Sequence, residues 1–118
     1  MPESDQSTLV VLTMGKEAFV RANAVLQMTL MIRKTSQAPV ELLFIGPGVE
    51  ILRSNQKNSP QFAQQLDMLR AEGVRIAVCE VSLESLGLTQ DQMFEAETVR
   101  GGVEVATRLG SGWHVLTF

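Results

Sequence analysis

Three short apolar runs, separated by longer amphipathic segments, set the organisation of the chain. They cover residues 8–13, 40–45 and 74–78 and consist mainly of valine, leucine and isoleucine. Their apolar side chains follow one another with little of the polar alternation that marks a strand exposed on one face. Runs of this length are typical of strands buried on both faces of a parallel sheet. We therefore expect three central strands.

The segments between these runs have helical periodicity. Residues 16–34 carry an apolar side chain at every third or fourth position, with more apolar surface than one sheet face covers. Residues 59–71 have the same spacing and begin with Ser59-Pro60, a capping residue followed by the proline that suits a first helical turn. The pattern predicts two helices.

Shorter elements complete the pattern. They are short helices at residues 49–54, 82–86 and 89–93, a short strand at residues 95–99, a helix at residues 102–109 with Val103, Ala106 and Leu109 on one face, and a last strand at residues 113–118. Strands that alternate with helices require right-handed crossovers and a parallel sheet with helices on both faces. The sequence thus predicts a single α/β domain over residues 1–118: a three-layer sandwich with a mostly parallel five-stranded sheet, Rossmann- or flavodoxin-like.

Composition narrows the classes of function. The 118 residues carry a net charge of −3 and are 45% hydrophobic and 5% aromatic, so neither a basic patch nor a stacking platform for nucleic acid is expected. No apolar stretch approaches the roughly 18 residues that a membrane span needs. Residues 1–7 lack the features of a secretory signal, and a lone cysteine fits a reducing compartment, so we expect a cytoplasmic protein without a membrane partner.

Three of the predicted strands bring candidate chemistry to one edge of the sheet. In open parallel sheets, ligands bind beyond the carboxyl ends of the strands. The residues expected on this rim, around Cys79, are Met14, Gly15, Gly46, Pro47, Gly48, Glu80, Val81 and Ser82. Because Pro47 has no N–H and the segment matches no phosphate-binding motif, a rigid turn is the favoured role for residues 46–48.

Cys79 is the only cysteine and the candidate catalytic residue. A helix that begins close behind it would favour the reactive thiolate. The alternative is that Cys79 is a small buried hydrophobic residue, as free cysteines often are. His114 is the only histidine and lies in the last predicted strand, which leaves its role open. With no second cysteine or histidine, neither a metal site nor another cofactor is expected.

An ordered set of features across most of the chain resembles the DsrE/DsrF-like family, whose members relay sulfur in intracellular sulfur oxidation and tRNA thiolation. The likeness spans residues 9–118. The features are a first strand with a long helix, Phe44-Ile45-Gly46-Pro47-Gly48-Val49 before a short helix, Leu69 and Gly73-Val74 leading into Cys79, Ser82-Leu83, Gly87-Leu88, Gly101-Gly102-Val103 and Gly112-Trp113.

The resemblance implies a cytoplasmic homo- or hetero-oligomer, often a trimer or hexamer, with a Rossmann-like sheet. It also implies that Cys79 accepts sulfur as a persulfide from a donor protein and passes it to an acceptor protein, with no cofactor. Two alternatives stay open. One is a non-catalytic oligomeric module that binds a partner or small ligand, with the helix at residues 16–34 as the subunit contact. The other is a redox sensor in which Cys79 forms a disulfide between chains.

Overall fold

The computed structural model describes residues 6–57 and 59–118, so the prediction made for the first seven residues falls mostly outside it. Five strands and four α-helices form the described fold. The strands are β1 (Thr8–Leu12), β2 (Val40–Phe44), β3 (Arg75–Cys79), β4 (Glu97–Val99) and β5 (His114–Thr117). The helices are α1 (Phe19–Ser36), α2 (Ser59–Ala71), α3 (Glu80–Ser85) and α4 (Gly101–Gly110).

The strands form one sheet in the order β4-β3-β2-β1-β5, and every pair is parallel. This confirms the predicted α/β fold, and the sheet is entirely rather than mostly parallel. β1 and β2 are buried along their whole length, as the mainly apolar runs predict. Because all five strands point the same way, their carboxyl ends lie on one edge of the sheet, and Cys79 ends β3 there.

One face of the sheet carries the larger core. Alternate residues of the central strands, such as Val10, Leu42 and Val78, pack there with the inner faces of α1 and α2. Those inner faces contribute the buried residues Ala22, Val25, Leu26, Phe62, Leu66 and Leu69. Each large aliphatic side chain buried in this way stabilises the fold by roughly 1.5–3 kcal/mol. The helical spacing of both segments is thus explained by this core.

The opposite face has a smaller core, formed by Leu9, Val11, Leu43 and Ala77. Val105 of α4 and Trp113, just after that helix, pack against this cluster. The two faces are therefore covered unequally, although the chain order places helices on both sides as predicted.

The side of α4 that faces the sheet differs from the expectation. The sequence pattern groups Val103, Ala106 and Leu109 on one apolar face, yet Val103 is 61% exposed and Leu109 is 56% exposed. The sheet side of the helix holds Gly101, Glu104, Val105 and Arg108, none of which is exposed. The prediction fails because Glu104 and Arg108 have charged partners on the sheet, which an apolar pattern does not reveal.

Several short elements also differ from their predicted bounds. The segment Gly46–Leu52 forms a 3-10 helix that starts at Gly46, so Pro47 lies in its first turn rather than in a separate loop. α3 begins at Glu80, two residues earlier than predicted, and follows Cys79 directly. None of the described helices has the length and apolar character needed to cross a lipid bilayer.

Candidate functional site

Cys79 lies where β3 ends and α3 begins. It is the last residue of the strand and the N-cap of the helix, and its backbone is still extended, with φ −73° and ψ 119°. Only 4% of the residue is exposed. The thiol is therefore held among backbone groups at the carboxyl edge of the sheet, rather than within the apolar core or open to solvent.

Hydrogen-bond donors surround the sulfur from two directions. Burial raises the pKa of the Cys79 thiol, but hydrogen bonds from the Ser82 hydroxyl and from the backbone N–H groups of Ser82, Gly101 and Val81 outweigh it, and the pKa lies below its ordinary value. Donors of this kind stabilise the thiolate more than the thiol. The site thus favours the form of sulfur that acts as a nucleophile.

Gly101 brings the first turn of α4 against the thiol. A Cβ atom at this position would lie 2.7 Å from Ile45 Cδ1 and 3.0 Å from Cys79 Sγ. Glycine therefore allows the helix N-terminus to approach the sulfur closely. The N–H groups of a first helical turn have no partner within the helix, so the N–H of Gly101 is free to donate to Cys79.

Ser82 links the thiol to the segment after β2. Its hydroxyl oxygen accepts a hydrogen bond of 2.8 Å from the N–H of Gly46, and its O–H donates a hydrogen bond to the sulfur. The same segment packs tightly on β1, because a Cβ at Gly48 would lie 2.1 Å from the carbonyl oxygen of Leu12. The carboxyl ends of three neighbouring strands are thereby joined at the site.

The predicted rim is brought together only in part. Val81, Ser82 and Gly46 contact the thiol or its hydrogen-bond partner, as described above. Glu80 and Pro47 are exposed on the same edge. Met14 packs with the main core, and it and Gly15 follow β1, which lies two strands from β3. At about 4.8 Å per strand, this places them roughly 10 Å to the side of Cys79.

His114 is placed away from Cys79. It pairs with Thr8 at the amino-terminal end of β1, whereas Cys79 is at the carboxyl end of β3. Three strand spacings, roughly 14 Å, separate the two strands across the sheet. A cysteine–histidine pair within one chain is therefore excluded. Within residues 6–57 and 59–118, no group of three or more His, Cys, Asp or Glu side chains could hold a metal ion.

Two residues with a part in this region of the fold, Gly101 and Glu41, were not identified from the sequence. Gly101 lay just before the helix predicted at residues 102–109 and was given no role at the thiol, although a Gly-Gly pair at a strand-to-helix junction is a signal of close backbone approach. Glu41 is a charged residue within an otherwise apolar strand, and it is fully buried beneath α4. An acidic residue in a buried run indicates a buried charge partner, but its identity depends on the tertiary fold.

Several solved structures have a fold similar to that of this chain. The chain is similar to the protein of unknown function MTH1491 from Methanobacterium thermoautotrophicum, with 17% identity, a TM-score of 0.81 and coverage of 95% of this chain and 98% of that one. It is similar to the ychN protein from E. coli, with 21% identity, a TM-score of 0.76 and coverage of 95% and 97%.

A third similar structure is the protein of unknown function BT1422 from Bacteroides thetaiotaomicron, with 14% identity, a TM-score of 0.76 and coverage of 100% and 99%. Identities this low show a shared fold and no more. No curated protein matches the chain in sequence.

A family model extends the likeness from fold to sequence. The model of the DsrE/DsrF-like family matches residues 6–118, which is nearly the whole chain. This match confirms the resemblance carried by the ordered set of motifs across residues 9–118. The chain belongs to the DsrE/DsrF-like family.

Proposed function

We propose that this protein is a sulfur carrier that accepts sulfur on Cys79 as a persulfide and passes it to an acceptor thiol. The family to which the chain belongs is associated with sulfur relay in general. The observation that carries the proposal is the set of donors on the Cys79 sulfur, which holds the pKa of the thiol below its ordinary value despite burial.

The loading step is a thiol–persulfide exchange. The Cys79 thiolate attacks the outer sulfur of a donor persulfide, R–S–SH. A new S–S bond forms to Cys79, the S–S bond of the donor breaks, and its electron pair leaves with the donor as R–S⁻. The products are Cys79–S–SH and the donor thiolate, so no external oxidant or reductant is consumed.

The unloading step reverses the role of Cys79. An acceptor thiolate attacks the outer sulfur of Cys79–S–SH, and Cys79 leaves as a thiolate. A thiol with a low pKa is a better leaving group, and the donors from Ser82, Gly101 and Val81 stabilise the leaving thiolate. With only one cysteine in the chain, no second thiol can discharge the persulfide internally, which suits transfer to a partner.

We place this exchange in the cytoplasm, where a free thiol is kept reduced. The partners would be a sulfur-donor protein and a sulfur-acceptor protein, with neither nucleic acid nor membrane involved. Because Cys79 is 4% exposed, the donor must approach along the edge where Pro47, Glu80 and Val81 are exposed.

Intact-protein mass spectrometry tests the loading step. The folded protein is incubated with glutathione persulfide, and its mass is compared with that of the variant Cys79→Ser. We expect the wild-type chain to gain one sulfur atom and the variant to gain none, because serine cannot form the persulfide. Wild-type protein that stays folded and gains no sulfur would contradict the proposal.

The second candidate is a non-catalytic oligomeric module that binds a partner or small ligand. The near-complete burial of Cys79 favours it, since a buried cysteine can serve packing alone. A thiol that reacts with a small alkylating agent only after unfolding, together with no sulfur gain, would support this module over the carrier. The same burial disfavours a disulfide between the Cys79 residues of two chains, the basis of the redox-sensor alternative.

We also propose that the protein works as a homo-oligomer, a trimer or hexamer, in which a second copy covers the outward side of α4. Val103 and Leu109 expose more than half of their surfaces on that side. Exposed apolar side chains grouped on one helix face are typical of an interface. This differs from the expectation that the long first helix makes the subunit contact.

A further inference from the structure

A carboxyl group is buried in the middle of the sheet. Glu41 lies in β2 with none of its surface exposed, on the face covered by α4. Its Oε1 atom accepts a hydrogen bond of 2.9 Å from Nε of Arg108 on α4 and one of 3.3 Å from Nη1 of Arg75 on β3. A buried carboxyl group without such partners would strongly destabilise the fold.

The partners of Glu41 form a connected cluster to which α4 contributes two residues, Glu104 and Arg108. Nη1 of Arg75 donates a hydrogen bond of 2.9 Å to Oε2 of Glu104, and Nη2 of Arg108 donates one of 3.3 Å to the same oxygen. The guanidinium of Arg108 also stacks over the ring of Trp113, with Cζ 4.4 Å from its centroid. α4 is thus tied to the sheet through charged groups as well as apolar contacts.

The two acidic side chains of the cluster affect each other's pKa. Burial and the neighbouring Glu104 raise the pKa of Glu41 to about 7, against the opposing effect of Arg108 and Arg75. A hydrogen bond from Glu41 lowers the pKa of Glu104. The buried Oε2 of Glu41 has no hydrogen-bond partner among the described residues.

The cluster and the thiol lie at opposite ends of the same helix. Arg75 and Cys79 are four residues apart on β3, a separation of roughly 13 Å along the strand, and alternation places both on the face beneath α4. Gly101 begins α4 at the thiol, and Arg108 lies seven residues further on, about 10 Å along the helix axis. The helix therefore spans the distance between Glu41 and the sulfur.

We propose that Glu41 is a positioning residue for Cys79: its hydrogen bonds with Arg108 and with Arg75, which also binds Glu104, fix α4 on the sheet so that the N–H of Gly101 stays directed at the thiol sulfur. This role deepens the proposed function, on which its biological meaning rests. An apolar side chain in place of Glu41 would fill the space but would set neither the position nor the rotation of the helix. Buried polar networks can specify one arrangement in this way where apolar packing permits several.

A matched pair of substitutions at one position tests this assignment. Glu41→Gln keeps a side-chain oxygen that can accept from Arg108 and Arg75, whereas Glu41→Leu has none. The Cβ chemical shift of the lone cysteine, followed by NMR against pH, reports the thiolate fraction without requiring access to the sulfur. We expect Glu41→Leu to lower the thiolate fraction of Cys79 at neutral pH by about threefold or more, and Glu41→Gln to leave it unchanged.

The control is Glu97→Gln. Glu97 also pairs with Arg75, but it is exposed at the edge strand and makes no ion pair with α4 among the described residues, so this variant should titrate as the wild type does. Folding of each variant is checked by circular dichroism. If Glu41→Leu fails to fold, Arg108→Lys keeps the positive charge but cannot donate to Glu41 and Glu104 together in the geometry of the guanidinium, and the same loss of thiolate is expected.

The direction of the change separates positioning from simple electrostatics. Removal of the negative charge that ionised Glu41 carries would on its own favour the thiolate, so a folded Glu41→Leu protein with an unchanged or larger thiolate fraction would overturn the assignment. The titration uses no sulfur donor. The titration therefore tests the role of Glu41 independently of sulfur transfer. The mass measurement with glutathione persulfide tests whether Cys79 carries sulfur.

Discussion

Ser82 is the side chain that acts most directly on the Cys79 thiol. Its hydroxyl lies between the sulfur and the N–H of Gly46, so it donates to one and accepts from the other. Hydrogen bonds to a charged group contribute more than those between neutral groups, roughly 1.5–3 kcal/mol. The state of the thiol should therefore respond to the loss of a single oxygen atom.

The variant Ser82→Ala removes that oxygen. We expect the thiolate of Cys79 to be less populated at neutral pH by about three- to tenfold, because one donor to the charged form is lost while burial is kept. A pH titration of thiolate ultraviolet absorbance measures this, and the midpoint should move to higher pH. Ser85→Ala, an exposed serine on the same helix, is the control. Equal titration curves for both variants would contradict the role of Ser82.

The sequence alone singled out Cys79 and part of its surroundings. Cys79 was recognisable because it is the only cysteine and follows an apolar run that ends near a helix start. The adjacent Ser82 was foreseeable as part of the rim for the same reason. The buried Glu41 was not, since its partners come from β3 and α4, and the sequence does not state which residues a fold brings together.

Two helix N-termini converge on the sulfur, and they arise from different sequence signals. α3 begins directly after Cys79 and supplies the N–H groups of Val81 and Ser82. α4 arrives from a separate part of the chain, and its approach depends on Gly101. Positive partial charge at a helix N-terminus favours a nearby anion. At the scale of elements, the site is a junction of these two helices at the end of one strand.

The variant Gly101→Ala tests the approach of α4, with Gly102→Ala as its neighbour control. The added methyl at Gly101 would lie against Ile45 and the Cys79 sulfur, whereas at Gly102 it meets no atom within 4 Å. We expect Gly101→Ala to be less stable than Gly102→Ala by about 1–2 kcal/mol, since overpacking forces the helix and sheet apart. Chemical unfolding of both variants measures this difference. Equal stability would contradict the close contact.

Most helices and strands could be predicted from the sequence, whereas the side of α4 that faces the sheet could not. The apolar runs of β1 and β2 and the helical periodicity of α1 and α2 were readable because strands and helices both contribute apolar side chains to the main core. In α4, Val103 and Leu109 face outward, while the sheet side carries charged groups beside Val105, so the helical period was found but its apolar side was assigned to the wrong face. A prediction from polarity treats buried positions as apolar, so it fails where a cluster of charged side chains is buried.

The whole molecule is asymmetric in how its sheet is covered. α1 and α2 pack on one face, whereas the smaller core on the other face is packed by α4 and the residues next to it. The apolar outer side of α4 is therefore the exposed surface of the thinner layer. This arrangement was not foreseeable from the chain order, which only requires helices on both faces of the sheet.

The proposed subunit contact can be tested with two valine substitutions. Val103→Lys places a charge on the outer side of α4, and Val20→Lys does the same on α1, where the valine is 78% exposed. We expect Val103→Lys to lower the molar mass found by light scattering, because a lysine buried in an interface is strongly unfavourable, and Val20→Lys to leave it unchanged. Dissociation by Val20→Lys alone would place the contact on α1 instead.

A complete transfer cycle tests the carrier function most directly. Protein loaded with glutathione persulfide is separated from the donor and mixed with a peptide that contains one cysteine, and both masses are measured. A sulfur carrier predicts that the chain returns to its original mass while the peptide gains one sulfur atom, and that Cys79→Ser supports neither change. A folded wild-type chain that never gains sulfur, or that keeps it in the presence of the peptide, would contradict the proposed relay.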